Sequence, residues 1–282
     1  MDPSSRGRRP GFTLLEILTV ILIITLLLAL LVPAVNAGRL RARKAAIKLE
    51  VGQLANGLTQ SKDAYGSYPP GRAWSHGEIE QYLRRAFRRM HPVQLSAAAT
   101  LVRQMSEAEL LVFWLGGRWD NSTMVGLALN PQNPFSLAEA QRTAPFVNFD
   151  VTRLDDSTNS NGFPEYYPPG GRPGESAPYL YFAARPSGSY LDSTGVLPVF
   201  IDHRGVAKGG GVPYYFKRDA TSAAAGFVNA DSYQLICAGI DNDYGPGVAK
   251  GFPFGQGHGE GDRDNIVNFS TQEIGDAVSD AS

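Results

Sequence analysis

Residues 12–32 read FTLLEILTVILIITLLLALLV, and the rest of the chain has to be read around them. Glu16 is the one charge in the run. As a helix rising about 1.5 Å per residue, the run spans roughly 30 Å, the hydrocarbon thickness of a bilayer. Apolar side chains fall on every side, so no face is left for water, and a helix of a soluble core does not fit the pattern. Residues 12–33 are therefore expected to form a transmembrane helix. Residues 1–11, MDPSSRGRRPG, carry Arg6, Arg8 and Arg9. A basic stretch before an apolar one also describes a secretory signal. The apolar run is longer than a signal core, however, and Val32-Pro33-Ala34 is a poor cleavage site. A carboxylate inside a membrane helix costs about 2.5–3.5 kcal/mol and is usually functional. Glu16 lies only four residues into the run, so reaching water at the interface is the other explanation for it.

Beyond the span, residues 34–66 continue in helical period. Leu40, Ile47, Val51, Leu54 and Leu58 form one apolar stripe, with Arg41, Lys44, Lys48, Glu50, Gln53 and Gln60 on the other faces. Pro33 is expected to kink this helix, because proline removes a backbone hydrogen bond and crowds the preceding turn. The turn residues Tyr65-Gly66-Ser67-Tyr68-Pro69-Pro70-Gly71 end it.

Residues 67–178 read as a helical and loop-rich insertion. Ile79, Tyr82, Leu83, Ala86, Phe87 and Met90 fall at helical spacing beside Arg84, Arg85, Arg88 and Arg89. Such a basic helix either binds membranes or acidic partners or is simply a solvated face. Ser106-Glu107-Ala108-Glu109 is a capping box before Leu110–Leu115, and Gly116-Gly117 is a stop. Residues 179–282 read as β-rich. Tyr179–Ala183, Val196–Ile201, Val212–Phe216 and Tyr233–Ala238 are expected to be antiparallel strands. A long helix covered by such strands is an α+β layer.

Composition narrows the function classes. The chain has 282 residues, a formal net charge of −1 and 19% charged residues, which suits neither a nucleic-acid binder nor a disordered chain. Gly (31) and Pro (19) are concentrated after residue 66, so loops dominate the head. Cys237 is the one cysteine. It cannot close an intramolecular disulfide and reads as a core residue.

Gly11-Phe12-Thr13-Leu14-Leu15-Glu16, the apolar run and Pro33 together resemble the type IV pilin and type II secretion pseudopilin family. The resemblance implies a leader peptide over residues 1–11, cut between Gly11 and Phe12 by a prepilin peptidase. It also implies methylation of Phe12 and a role for Glu16 in assembly, where it meets the new N-terminal amine of a neighbouring subunit. The partners implied are other pilin-like subunits, the assembly machinery and the membrane. The location implied is the inner (cytoplasmic) membrane, crossed once, with an extracytoplasmic head. Basic residues on both sides of the span, Arg6, Arg8 and Arg9 before it and Arg39, Arg41, Arg43, Lys44 and Lys48 after it, do not fix that orientation by charge.

A second likeness lies near the C-terminus. Tyr233–Gly245 and Gly259–Phe269 resemble the end of major pseudopilins, where a Gly-rich loop holds a calcium ion. Calcium takes about 6–8 oxygen ligands. The resemblance points to Asp241, Asp243, Asp262 and Asp264, with Glu260 a lesser candidate. This chain departs from the pattern in a longer loop, about 18 residues between Asp243 and Asp262, and in Asn265, where a second acid is often found. Ordinary Asp-rich turns, each Asp bonding its own backbone, are the other reading.

A structural pilus or pseudopilus subunit is thus the expected function. The alternative is a membrane-anchored extracytoplasmic binding module, minor pilin or adhesin-like, using Tyr166, Tyr167, Tyr214 and Tyr215. A tethered hydrolase has less to recommend it. His76, His91, His203 and His258 are scattered, no Gly-x-Ser-x-Gly occurs, Gly209-Gly210-Gly211 lacks a following Lys-Ser/Thr, and only Asp202-His203 offers a pair.

Overall fold

The computed structural model describes residues 13–156, 161–202, 205, 208–218, 225–254 and 257–279. The chain divides into two compact units, residues 1–45 and 46–282. Helix α1 (Leu14–Tyr65) contributes to both, with Pro33 inside it. In the first unit the apolar window of α1 is wholly uncovered by the described chain, and it is long and apolar enough to cross a membrane. Its two internal threonines bond within the helix. Thr19 Oγ1 donates to the Leu15 carbonyl at 3.0 Å and Thr25 Oγ1 to the Ile21 carbonyl at 2.9 Å. Both hydroxyls are thus satisfied within the helix itself.

In the second unit α1 behaves differently. Ile47, Val51, Leu54 and Leu58 are buried as the stripe predicts, whereas Leu40 is exposed. The stripe packs with Leu111, Phe113 and Trp114, and with Tyr181, Leu235 and Cys237. Gly57 permits the closest approach, since a Cβ there would come within 2.5 Å of Val147 Cγ2. Glu50, expected on a polar face, is instead 12% exposed. Its carboxylate accepts from Arg153 Nη1 (2.9 Å) and Nη2 (2.5 Å), and from the Tyr166 and Tyr179 hydroxyls (2.8 Å each). Four charge-assisted bonds on one carboxylate tie the helix to the head.

The helical part of the insertion read over residues 67–178 is three helices: α2 (His76–Ala86), α3 (Pro92–Gln104) and α4 (Glu107–Gly116). The predicted capping box forms, with Ser106 Oγ accepting from the Glu109 amide and Glu109 accepting from the Ser106 amide. Gly117, at φ 86, ends α4 in a conformation that favours glycine. Every residue of α4 is buried, as expected of a helix apolar on all sides.

The strands are short. β1 (Leu154–Asp155) and β2 (Glu165–Tyr166) form an antiparallel pair. β3 (Leu180–Ala183), β5 (Tyr233–Cys237) and β7 (Ile266–Val267) form an antiparallel sheet in the order β3-β5-β7, with Leu180 opposite Ile236 and Cys237 opposite Ile266. The sheet packs on the buried stripe of α1, which gives the α+β class read from the sequence.

Two strand expectations are corrected. Val196–Ile201 forms no strand; Phe200 only bridges Gly211. The run at Val212–Phe216 becomes β4 (Tyr214–Lys217), and its neighbour is parallel, not antiparallel: β6 (Lys250–Pro253). The glycines around β6 hide it from any alternation of apolar and polar residues. Helix α5 (Ile274–Ser279) closes the described chain.

Candidate functional site

The N-terminus of α1 carries the first candidate. Gly11 and Phe12 lie outside the described residues. Glu16 is placed by its own first turn. The Thr13 amide donates to Glu16 Oε2 at 2.7 Å and the Thr13 hydroxyl donates to the same oxygen at 2.8 Å. The Glu16 amide returns a 3.2 Å bond to Thr13 Oγ1. This is a reciprocal capping box, which satisfies two of the helix's orphan donors. Sequence reading missed it, although Thr-x-x-Glu before an apolar run is its signature. Among the described residues, both bonds that Glu16 accepts from Thr13 fall on Oε2 and none reaches Oε1. Pro33 takes one hydrogen bond out of α1, the one its amide would have given the Ala29 carbonyl.

The Asp-rich loop is the second candidate. The structure brings all four aspartates to the end of the β3-β5-β7 sheet but turns them onto separate donors. Asp241 Oδ1 accepts from the Asp243 amide (2.8 Å), and Asp243 Oδ1 accepts from the Gly245 amide (2.8 Å). Asp264 Oδ2 accepts from the Ile240 amide (2.7 Å), and Asp262 Oδ2 from the Gly259 amide (2.8 Å). Partial burial first, then the neighbouring Asp264 and Asp243, pushes the Asp241 carboxyl up to about 6.

The remaining oxygen of Asp262 is taken by a lysine. Lys250 Nζ lies 2.5 Å from Asp262 Oδ1, and both side chains are 1% exposed. Burial pulls the ammonium's pKa down, and Asp262 works against that. Among the described residues, no three His, Cys, Asp or Glu side chains come together in a way that could hold a metal ion. Of the expected calcium set, Asp262 Oδ1 thus faces a lysine, Asp241, Asp243 and Asp264 each accept from a backbone amide, and Asp264 Oδ1 is buried without a hydrogen-bond partner. Glu260 is exposed on the 3-10 turn Glu260–Asp262. The Asp-turn reading left open by the sequence describes Asp241 and Asp243. Lys250 had no signal of its own, being one basic residue between Ala249 and Gly251 in a loop-like stretch.

Arg84 and Arg85 at the end of α2 and Arg88 and Arg89 just after it line a third place, an open cleft of about 870 Å³ shared with Asp63, Tyr65 and Phe87. All four are exposed. Arg84 lies 3.7 Å from Glu80, and Arg85 Nε donates to the Gln81 carbonyl at 3.3 Å. Tyr65 and Phe87 form one wall, with ring centroids 5.1 Å apart.

The tyrosines proposed as a binding surface are corrected. Tyr166, Tyr167 and Tyr214 are buried. Their hydroxyls have inside partners, Glu50 for Tyr166 and Glu165 for Tyr167 (2.8 Å). Tyr215 stacks on Phe227 with centroids 4.0 Å apart. The described histidines do local structural work. His76 lies 3.2 Å from Ser96 Oγ, His91 caps α3 and His258 lies 2.7 Å from the Gly251 carbonyl. His203 lies outside the described residues.

Residues 6–32 match a family model described as the prokaryotic N-terminal methylation motif. No curated protein and no solved structure matches the chain. The similarity thus concerns the stretch from Arg6 to Val32, the end of the apolar run.

Proposed function

We propose that this chain is a structural subunit of a pilus or a type II secretion-like pseudopilus, anchored and assembled through its N-terminal helix. One coincidence supports the reading: the methylation motif over residues 6–32 coincides with an apolar helix that nothing in the described chain buries. Such a helix needs lipid, and on leaving lipid it needs other helices of its kind. A prepilin peptidase would cut between Gly11 and Phe12, and Phe12 would be methylated. Glu16 would accept from the new amine of a neighbouring subunit. The head would then lie outside the cytoplasmic membrane, crossed once by α1.

The test is assembly in cells that make the filament. Glu16→Val should leave the chain in the membrane fraction and remove it from sheared filaments. Normal recovery of Glu16→Val in filaments would refute the assembly role. The arginine cleft supports a second reading beside the first, a subunit that also binds an acidic partner. Arg88→Glu with Arg89→Glu should abolish that binding while leaving assembly intact.

A further inference from the structure

We propose that Lys250 is the resident cation of the C-terminal loop, its ammonium performing the cross-linking that a bound metal ion would perform, so that the head folds without a divalent cation. Three separate segments meet at Nζ. The Tyr244 carbonyl comes from the turn after β5, the Asp262 carboxylate from the 3-10 turn before β7, and the Tyr214 ring from β4, with its centroid 5.7 Å away. The acceptors are a carbonyl and a carboxylate, the hard oxygens that calcium would also choose. An ammonium brings three donors and no acceptor, so it can join several segments at once.

The surroundings are built for this contact. Lys250 is held opposite Tyr214 by the parallel β4–β6 register. Asn265 Nδ2 donates to Asp262 Oδ1 at 3.2 Å, and the Tyr214 hydroxyl lies 3.4 Å from the same oxygen. Gly245 sits at φ 75, and a Cβ there would collide with the Asp262 carboxylate. A Cβ on Gly261 would collide with that of Asp243, whose charge also favours the ammonium. A buried charge persists only when paired. A divalent ion entering this nest would face the ammonium at close range with little water to screen it.

The experiment is thermal unfolding of the full chain in detergent micelles, followed by near-ultraviolet circular dichroism. Wild-type protein should melt at the same temperature with excess chelator and with millimolar calcium. Lys250→Met should lower the midpoint by roughly 5–15 °C, because it strands Asp262 in the core. Adding Asp262→Leu to Lys250→Met should recover much of that loss. A wild-type midpoint raised by calcium or lowered by chelator would overturn the proposal, and this arm decides even if Lys250→Met does not fold. So would a Lys250→Met midpoint equal to wild type, or a double variant no better than the single one, which would make Lys250 a packing residue.

Discussion

The two halves of α1 use one backbone conformation with two different degrees of burial. Residues 14–35 expose leucine, isoleucine and valine on every side, with their threonines bonded inward. Residues 47–61 bury one stripe and hold Glu50 in a net of Arg153, Tyr166 and Tyr179. Helix propensity is similar along both, since leucine, isoleucine and alanine recur throughout. What differs is where each half finds its free energy: the second in packing against the head, the first in no contact that the described residues supply. Identical substitutions in the two halves should therefore have unlike consequences.

The largest contrast is expected for a truncated leucine. Leu58→Ala empties a fully buried site and should cost the head about 2–5 kcal/mol in denaturant unfolding. Leu27→Ala, in the uncovered half, should leave head stability unchanged. Equal effects at the two positions would break the comparison. A smaller contrast is expected for glutamate. Glu50→Gln keeps the shape but gives up charge-assisted bonds with Arg153, and should cost about 1–3 kcal/mol. Glu16→Gln should not move the head's unfolding transition at all.

The long apolar helix, the buried stripe and the Ser106 cap were legible because each is local. Period, length and a four-residue motif are properties of neighbours in sequence. Glu50 was misread because its partners Arg153, Tyr166 and Tyr179 lie far along the chain, and nothing within its own helix turn announces them. The β4–β6 pairing was missed for a related reason. A parallel pair needs a long connection, and Lys250-Gly251-Phe252-Pro253 shows no alternation. The aspartates illustrate the limit most clearly. Their spacing put them in one loop, but which amide each faces depends on the turns of a Gly-rich backbone. The tyrosines looked like a surface because aromatic pairs serve binding sites and cores alike.

The smallest effect concerns Asp241, and it sharpens the reading of that loop. Its folded pKa of about 6 lies above the ordinary 3.8, because of partial burial and the nearby Asp264 and Asp243. The folded state therefore binds this proton more tightly than the unfolded chain does. The contribution to stability falls as pH rises from about 4 to about 6 and stays unfavourable above. Asp241→Asn should raise the melting temperature slightly at about pH 7 and leave it unchanged at about pH 4. A carboxylate serving as a metal ligand would show the reverse at neutral pH.

The central claim is that the uncovered half of α1 is a processed assembly segment, and the intact mass of the chain tests it most directly. Protein recovered from membranes of cells that carry a prepilin peptidase should begin at Phe12, with one methyl group on its amine. A chain that still begins at Met1, or one cut beyond the apolar run, would contradict the claim.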